Sequence, residues 1–241
     1  MGDVGQSGPE NFVTKLPTPL RFPLSWYSGI LGGTGMTAYF GVQDIARPKP
    51  GEIAVVSAAA GAVGIVAGQL LKAAGAHVIG LSGSTEKCER LVSDFGLDAV
   101  INYREENLHE SFQRLGPHGM DIFFDNVGGE TLNIAMKHLK EQARVVLCGA
   151  VSTHEAEGGV ASQPGPDNLF EMVTRRALLK GFMYTDEMAR YPEATAALEA
   201  GLANGTLRNA EYILHGIDAA PQAFCDMLAG RNVGKTLCEL D

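Results

Sequence analysis

Ile53-Ala-Val-Val-Ser-Ala-Ala-Ala-Gly61-Ala-Val-Gly64-Ile65 decides the fold of this 241-residue chain. Four apolar residues in a row read as a buried strand. A run of small residues then turns the chain into an apolar stretch through Ala74 that reads as a helix. A helix that begins in such a turn presents unpaired N–H donors and partial positive charge to whatever lies in front of it. Glycines there let backbone approach a pyrophosphate and let strand pack on helix. The fingerprint Gly-x-Gly-x-x-Gly is incomplete, because Ala59 stands where its first glycine would be. Strand, turn and helix in this order point to a dinucleotide site on Ala60, Gly61, Ala62, Val63 and Gly64.

The second discriminating position is the tip of the next strand, His77 to Leu81. A site for a free ribose diol places Asp or Glu there. Here the chain reads Ser82-Gly-Ser84-Thr-Glu-Lys87. Two hydroxyls and an ammonium without an acid at the tip suit a 2′-phosphate, which favours NADPH over NADH. The same residues also make an ordinary helix start, with Ser84 as N-cap and Lys87 a solvated charge in the first turn.

Strands are expected at 53–57, 76–81, 98–102, 120–124, 143–148 and 177–182. Helices are expected near 32–45, 62–74, 84–94, 107–114, 129–139, 167–173 and 190–203. This alternation implies an α/β fold with a doubly wound parallel sheet of the Rossmann type. Pro192 fits a first helical turn and Asn204-Gly205 a helix stop. The Gly- and Pro-rich stretch 158–166 reads as a mobile loop at the mouth of the site. The 45% hydrophobic content is enough for a sizeable core. A net charge of −9 without a basic run argues against nucleic-acid binding. Cys88, Cys148, Cys225 and Cys238 lie far apart with no Cys-x-x-Cys, so neither a zinc lobe nor a disulfide framework is expected. No stretch reaches the roughly 18 apolar residues of a membrane span, and the first 25 residues lack a signal-peptide core. A cytoplasmic protein is expected.

Six blocks carry a resemblance in the right order: Leu31–Phe40 (LGGTGMTAYF), Val56–Ile65 (VSAAAGAVGI), Gly83–Lys87 (GSTEK), Phe124–Gly129 (FDNVGG), Cys148–Ser152 (CGAVS) and Gly230–Thr236 (GRNVGKT). Together they resemble the zinc-independent medium-chain dehydrogenase/reductase family, within it the prostaglandin reductase and 2-alkenal reductase branch. The resemblance implies a metal-free oxidoreductase that passes a hydride from NADPH to the β-carbon of an enone or enal. It places Lys87, with Ser82 or Ser84, at the 2′-phosphate and Tyr103 on the same adenosine side. Asn126 and Asn232 are implied cofactor contacts. Met36, Thr37, Cys148, Gly149, Ala150, Val151, Phe182, Met183 and Tyr184 would surround the nicotinamide and its ribose. His154 stands where this branch often carries a tyrosine, and is the candidate catalytic residue.

The family begins with a substrate domain on the order of a hundred residues. The expected organisation here is therefore a remnant of that domain at 1–24, the NADP-binding domain at 25–205, and a segment at 206–241 returning towards the substrate domain, so that the termini build an incomplete second lobe. Cofactor binding with slow turnover is the expectation for such a chain. Self-association as a homodimer through strand edges is one way to cover its apolar sides. The competing reading from another class is a non-catalytic NADPH-binding module. A short-chain dehydrogenase is disfavoured because no tyrosine is followed four residues later by lysine. A P-loop NTPase is disfavoured because Gly230 to Thr236 is one residue short in its spacer.

Overall fold

The computed structural model describes residues 15–150 and 166–240. Its main body is one six-stranded sheet, all parallel, made of β1 (Ile53–Val56), β2 (His77–Ser82), β3 (Ala99–Asn102), β4 (Met120–Asp125), β5 (Leu139–Leu147) and β6 (Leu178–Gly181). The spatial order β3-β2-β1-β4-β5-β6 is that of a doubly wound fold. Among the described residues seven α-helices belong to this body: α1 (Gly33–Phe40), α2 (Ala62–Ala73), α3 (Thr85–Ser93), α4 (Leu108–Leu115), α5 (Gly129–Met136), α6 (Phe170–Arg175) and α7 (Tyr191–Asn204).

Strand side chains alternate between the two faces, and each face has its own core. Ala54, Val56, Val78, Ile122, Phe124 and Val146 pack with α1, α2 and α7 through Phe40, Leu71 and Leu198. Val55, Ile79, Leu81, Ile101, Phe123 and Val145 pack with α4 and α5 through Phe112, Leu132 and Met136. Burial on both faces explains why β1 is a continuous apolar run rather than an alternating one. The caps agree with the sequence reading. Ser84 Oγ accepts from the Lys87 N–H at 3.3 Å, Pro192 lies in the first turn of α7, and Gly205 closes that helix at φ 81°.

Two expected elements differ in extent. The helix expected at 129–139 ends at Met136, and β5 begins at Leu139, ahead of the expected 143. Its first residues, Leu-Lys-Glu-Gln, have helix-forming composition, but Leu139 pairs with Met120. The left-handed Gln142 (φ 61°) then kinks the strand before pairing resumes at Arg144–Ile122. The helix expected at 32–45 is α1 followed by a π-helical turn, Gly41–Ala46, stopped by left-handed Arg47 ahead of Pro48.

Beyond α7 the chain adds β7 (Glu211–His215), α8 (Ala220–Leu228) and β8 (Lys235–Glu239), with β7 and β8 pairing in parallel as a small separate sheet. Backbone joins this unit to the main body where the Gly234 N–H donates to the Ala60 carbonyl at 2.9 Å, and Gly61 and Gly234 form a bridge. Gln69 of α2 adds a two-way link, accepting from the Arg208 N–H at 2.7 Å and donating to its carbonyl at 3.0 Å. No helix among the described residues is long and apolar enough to cross a membrane.

The β1–α2 turn has no slack. A Cβ on Gly64 would lie 2.3 Å from the Ala58 carbonyl oxygen and 2.8 Å from the Ala59 Cα, both backbone atoms, whereas a Cβ on Gly61 would meet only the Ala58 oxygen at 3.2 Å. Gly64→Ala is therefore expected to lower stability by about 1–3 kcal/mol, the range for overpacking. Gly61→Ala is expected to cost clearly less, and urea unfolding of the two variants checks the order.

Candidate functional site

In a doubly wound sheet the ligand crevice opens outside the carboxyl ends of the strands, where the order reverses between β1 and β4. Here that point is held by the buried carboxylate of Asp125, at the end of β4. It accepts from Ser57 Oγ at 2.9 Å, the Val127 N–H at 3.1 Å and the Gly128 N–H at 3.0 Å. Burial pushes the Asp125 carboxyl above its usual range, and the Gly128, Val127 and Ser57 donors pull it back. Asn126 completes the strap, donating from Nδ2 to the Ser57 carbonyl at 2.7 Å and from its backbone to Ser57 Oγ at 2.8 Å.

A cleft of about 460 Å³ opens beside this strap, over the tips of β1, β2 and β3. It gathers Ala60, Gly61, Ser82, Ser84, Lys87, Tyr103 and Asn232 from the expected set. Residues outside that set line it too, among them Arg104, Thr131, Met227 and Leu228. Its floor is the turn Ala60–Gly61 that leads into α2, and Ala62, Val63 and Gly64 do not line it. This 12-residue helix has Gly61 as its N-cap and no side-chain cap, so the first-turn N–H groups of Ala62, Val63 and Gly64 have no partner within the helix. The Ala58 backbone is left-handed, at φ 46°. Ala59 fits without the missing glycine because Gly80 on β2 leaves room for its methyl; a Cβ on Gly80 would come within 3.0 Å of it.

The adenosine-side wall carries charge. Lys87 donates to the Gly230 carbonyl, so α3 is latched to the segment after α8 across the cleft. Burial and the neighbouring Arg104 guanidinium hold the Lys87 ammonium below the usual lysine range, with Glu86 opposing. Asn232 Nδ2 donates to the Gly234 carbonyl at 2.9 Å, which fixes the loop facing Lys87. These features fit a dinucleotide with a 2′-phosphate: uncapped helix donors for a pyrophosphate, and cations with no carboxylate between them for a further phosphate.

The remaining expected residues gather further along the strand tips and do not line that cleft. Met36 is buried, and Thr37 Oγ1 donates to the Gly33 carbonyl at 2.7 Å. Gly33 leaves room for Tyr184, whose hydroxyl is 3.0 Å from where a Cβ would stand, and Gly41 leaves room for Phe182 and Phe124. Met183 is 60% exposed. The Cys148 and Gly149 N–H groups both donate to the Asp125 carbonyl, at 2.8 and 3.1 Å, placing Ala150 just beyond the tip of β5. Asn126 is turned into the strap described above. Val151 and His154 lie outside the described residues, as does the expected loop 158–166 up to Gly165.

Arg104 could have been suspected from sequence, because it is the first cation after the β3 tip. Met227 and Leu228 could not, since only the return of the chain end across the cleft brings them there.

Residues 62–200 match the family described as Zinc-binding dehydrogenase. The 2-alkenal reductase (NADP(+)-dependent) of Nicotiana tabacum is 38% identical over 239 residues, 96% of this chain and 68% of the relative. The chain belongs to the zinc-independent medium-chain dehydrogenase/reductase family. Prostaglandin reductase 1 of Mus musculus is 38% identical over 231 residues, 94% of this chain and 69% of the relative. CurA from Vibrio vulnificus, solved in complex with NADPH, superposes with a TM-score of 0.84 at 35% identity, over 92% of this chain and 67% of that one. The chain thus spans about two thirds of the length of these members of the medium-chain dehydrogenase/reductase family. Among its described residues no group of three or more His, Cys, Asp or Glu is placed to hold a metal ion.

Desolvation of the half-buried Cys148 thiol, and the Asp125 carboxylate beside it, push it up to about 12. It is therefore a neutral thiol throughout the physiological range. Iodoacetamide at about pH 8 is expected to label exposed Cys225 of α8 first, and Cys148 at least about tenfold more slowly. Peptide mapping of a time course reads the order.

Proposed function

We propose that this chain is the cofactor-binding part of an NADP-dependent reductase acting on the C=C bond of α,β-unsaturated ketones or aldehydes. The observation that carries the reading is the cleft, where an uncapped helix N-terminus and the Lys87 ammonium converge from adjacent strand tips. The alkenal and prostaglandin reductases support the substrate class, and the NADPH complex of CurA supports the cofactor.

In this reading the first-turn N–H groups of Ala62, Val63 and Gly64 hold the pyrophosphate. Lys87, with Ser82 and Ser84, holds the 2′-phosphate, and Tyr103 closes over the adenosine side. Asn232 and Asn126 fix the two backbone walls. Met36, Thr37, Cys148, Gly149, Ala150, Val151, Phe182, Met183 and Tyr184 form the nicotinamide end, and His154 is the residue proposed to face the substrate. When bound, NADPH supplies the hydride that the β-carbon of the enone accepts. The chain's part is to hold the two ends of the cofactor in fixed register over the strand tips and to keep water from the apolar end. Positioning of this kind accounts for on the order of 7–11 kcal/mol of barrier lowering in favourable cases.

The organisation proposed with this function is a terminal remnant at 1–24, the cofactor domain at 25–205 and the return segment 206–241. A cytoplasmic location and a homodimer are part of the same proposal. Strand β6 is one of the two edge strands of the sheet, with Leu178 exposed on it and one side pairing with β5.

Lys87→Ala is expected to weaken NADPH binding about tenfold or more while leaving NADH little changed, because a charge-assisted contact contributes roughly 1.5–3 kcal/mol. Fluorescence titration with both cofactors tests this, and equal wild-type affinities would falsify the cofactor assignment. For the reaction, a fusion to the substrate domain of a relative is expected to oxidise NADPH when a short enal is added. NADPH binding by the fusion without turnover would instead favour the non-catalytic module.

A further inference from the structure

We propose that Arg104 is a second specificity determinant in this cleft, acting with Lys87 as a pair of cations on the 2′-phosphate of the cofactor, an inference that rests on the cofactor reading above. The two residues come from different elements, Lys87 from the first turn of α3 and Arg104 from the loop after β3, yet both line the cleft with Ser82 and Ser84.

The Arg104 loop is seated firmly against the β2 tip. The Tyr103 N–H donates to the Ser82 carbonyl at 3.1 Å, and the Arg104 N–H donates to Asn102 Oδ1 at 3.2 Å. Gly83 makes the close approach possible. A Cβ there would stand 2.7 Å from the Tyr103 hydroxyl and 3.1 Å from Arg104 Nε.

The carboxylates next to Arg104 are committed elsewhere. Glu105 accepts from the Thr85 hydroxyl at 3.3 Å. Glu106 pairs with Arg114 at 2.5 Å and accepts from the Asn102 N–H at 3.0 Å and the Ser111 hydroxyl at 3.0 Å. Among the described residues the Arg104 guanidinium makes neither an ion pair nor a side-chain hydrogen bond. In a chain of net charge −9, a cation without a counter-ion facing a second cation is conspicuous. Burial first, and then the Arg104 guanidinium, hold the Lys87 ammonium below its usual range, with Glu86 opposing.

A ribose diol would relieve nothing here. A phosphate monoester carries about −1.5 to −2 charges and several acceptor oxygens, enough for both groups at once. Lys87 has three donors, so it can keep the Gly230 carbonyl and still reach an anion. The planar guanidinium offers a bidentate fork that an ammonium cannot reproduce.

The experiment is calorimetric titration of NADPH, NADH and 2′-AMP into wild type, Lys87→Ala, Arg104→Ala and Arg104→Lys, with thermal unfolding of each variant as a folding check. Arg104→Ala is expected to weaken NADPH and 2′-AMP about tenfold or more, to leave NADH within about twofold, and to be only partly rescued by Arg104→Lys. If Lys87→Ala loses the preference for NADPH while Arg104→Ala keeps it, the role given to Arg104 is wrong and the cofactor reading stands. Equal weakening of NADPH and NADH by Arg104→Ala would also remove the specificity role. A wild type that binds NADPH and NADH alike overturns both.

Discussion

The buried Asp125 carboxylate is the constraint on which the site depends. It ties the end of β4 to Ser57 at the end of β1, and its backbone carbonyl takes the N–H groups of Cys148 and Gly149 at the end of β5. Three neighbouring strand tips are therefore fixed to one residue at the point where the sheet reverses its order. An ionised group there would be costly alone, and the donors converging on it offset that cost. The charged cleft over β1–β3 lies to one side of this strap, and Gly33, Phe182 and Tyr184 lie to the other. Their separation is thus set by covalent geometry and a few short hydrogen bonds rather than by mobile loops.

Much of the fold was legible because strands buried on both faces announce themselves as apolar runs, and because the helices between them begin and end on recognisable residues such as Ser84, Pro192 and Gly205. Where the reading slipped, tertiary pairing overrode local preference. Leu139 to Gln142 look helical by composition, but one ladder contact to Met120 and a left-handed Gln142 make them the start of a strand. The turn from β1 into α2 was legible despite Ala59 because Gly64 and the flanking elements carry most of the signal. Only the structure shows that Gly80, on the next strand, makes the substitution tolerable.

The site was legible in proportion to how local its chemistry is. Ser82, Ser84 and Lys87 lie within one turn of chain and could be read together. Asp125 was not among the expected site residues, since nothing in a sequence shows that its carboxylate reaches Ser57, 68 positions away. Asn126 has the opposite history. The resemblance assigns it to the cofactor, while its side chain in this structure is spent on the Ser57 carbonyl, so that it shapes the wall it was expected to line.

The backbone bond from the Gly234 N–H to the Ala60 carbonyl joins the β7–β8 unit to the turn on which a pyrophosphate would rest. A Cβ at Gly234 would sit 2.0 Å from the Ala210 oxygen, so only glycine fits where the chain enters β8. The seat for the ligand is consequently not finished when β1 and α2 have formed. It is completed only when the segment carrying β7 and β8 docks against that turn. Order in the phosphate turn and order in β7 and β8 become one cooperative unit, and whatever steadies either steadies both.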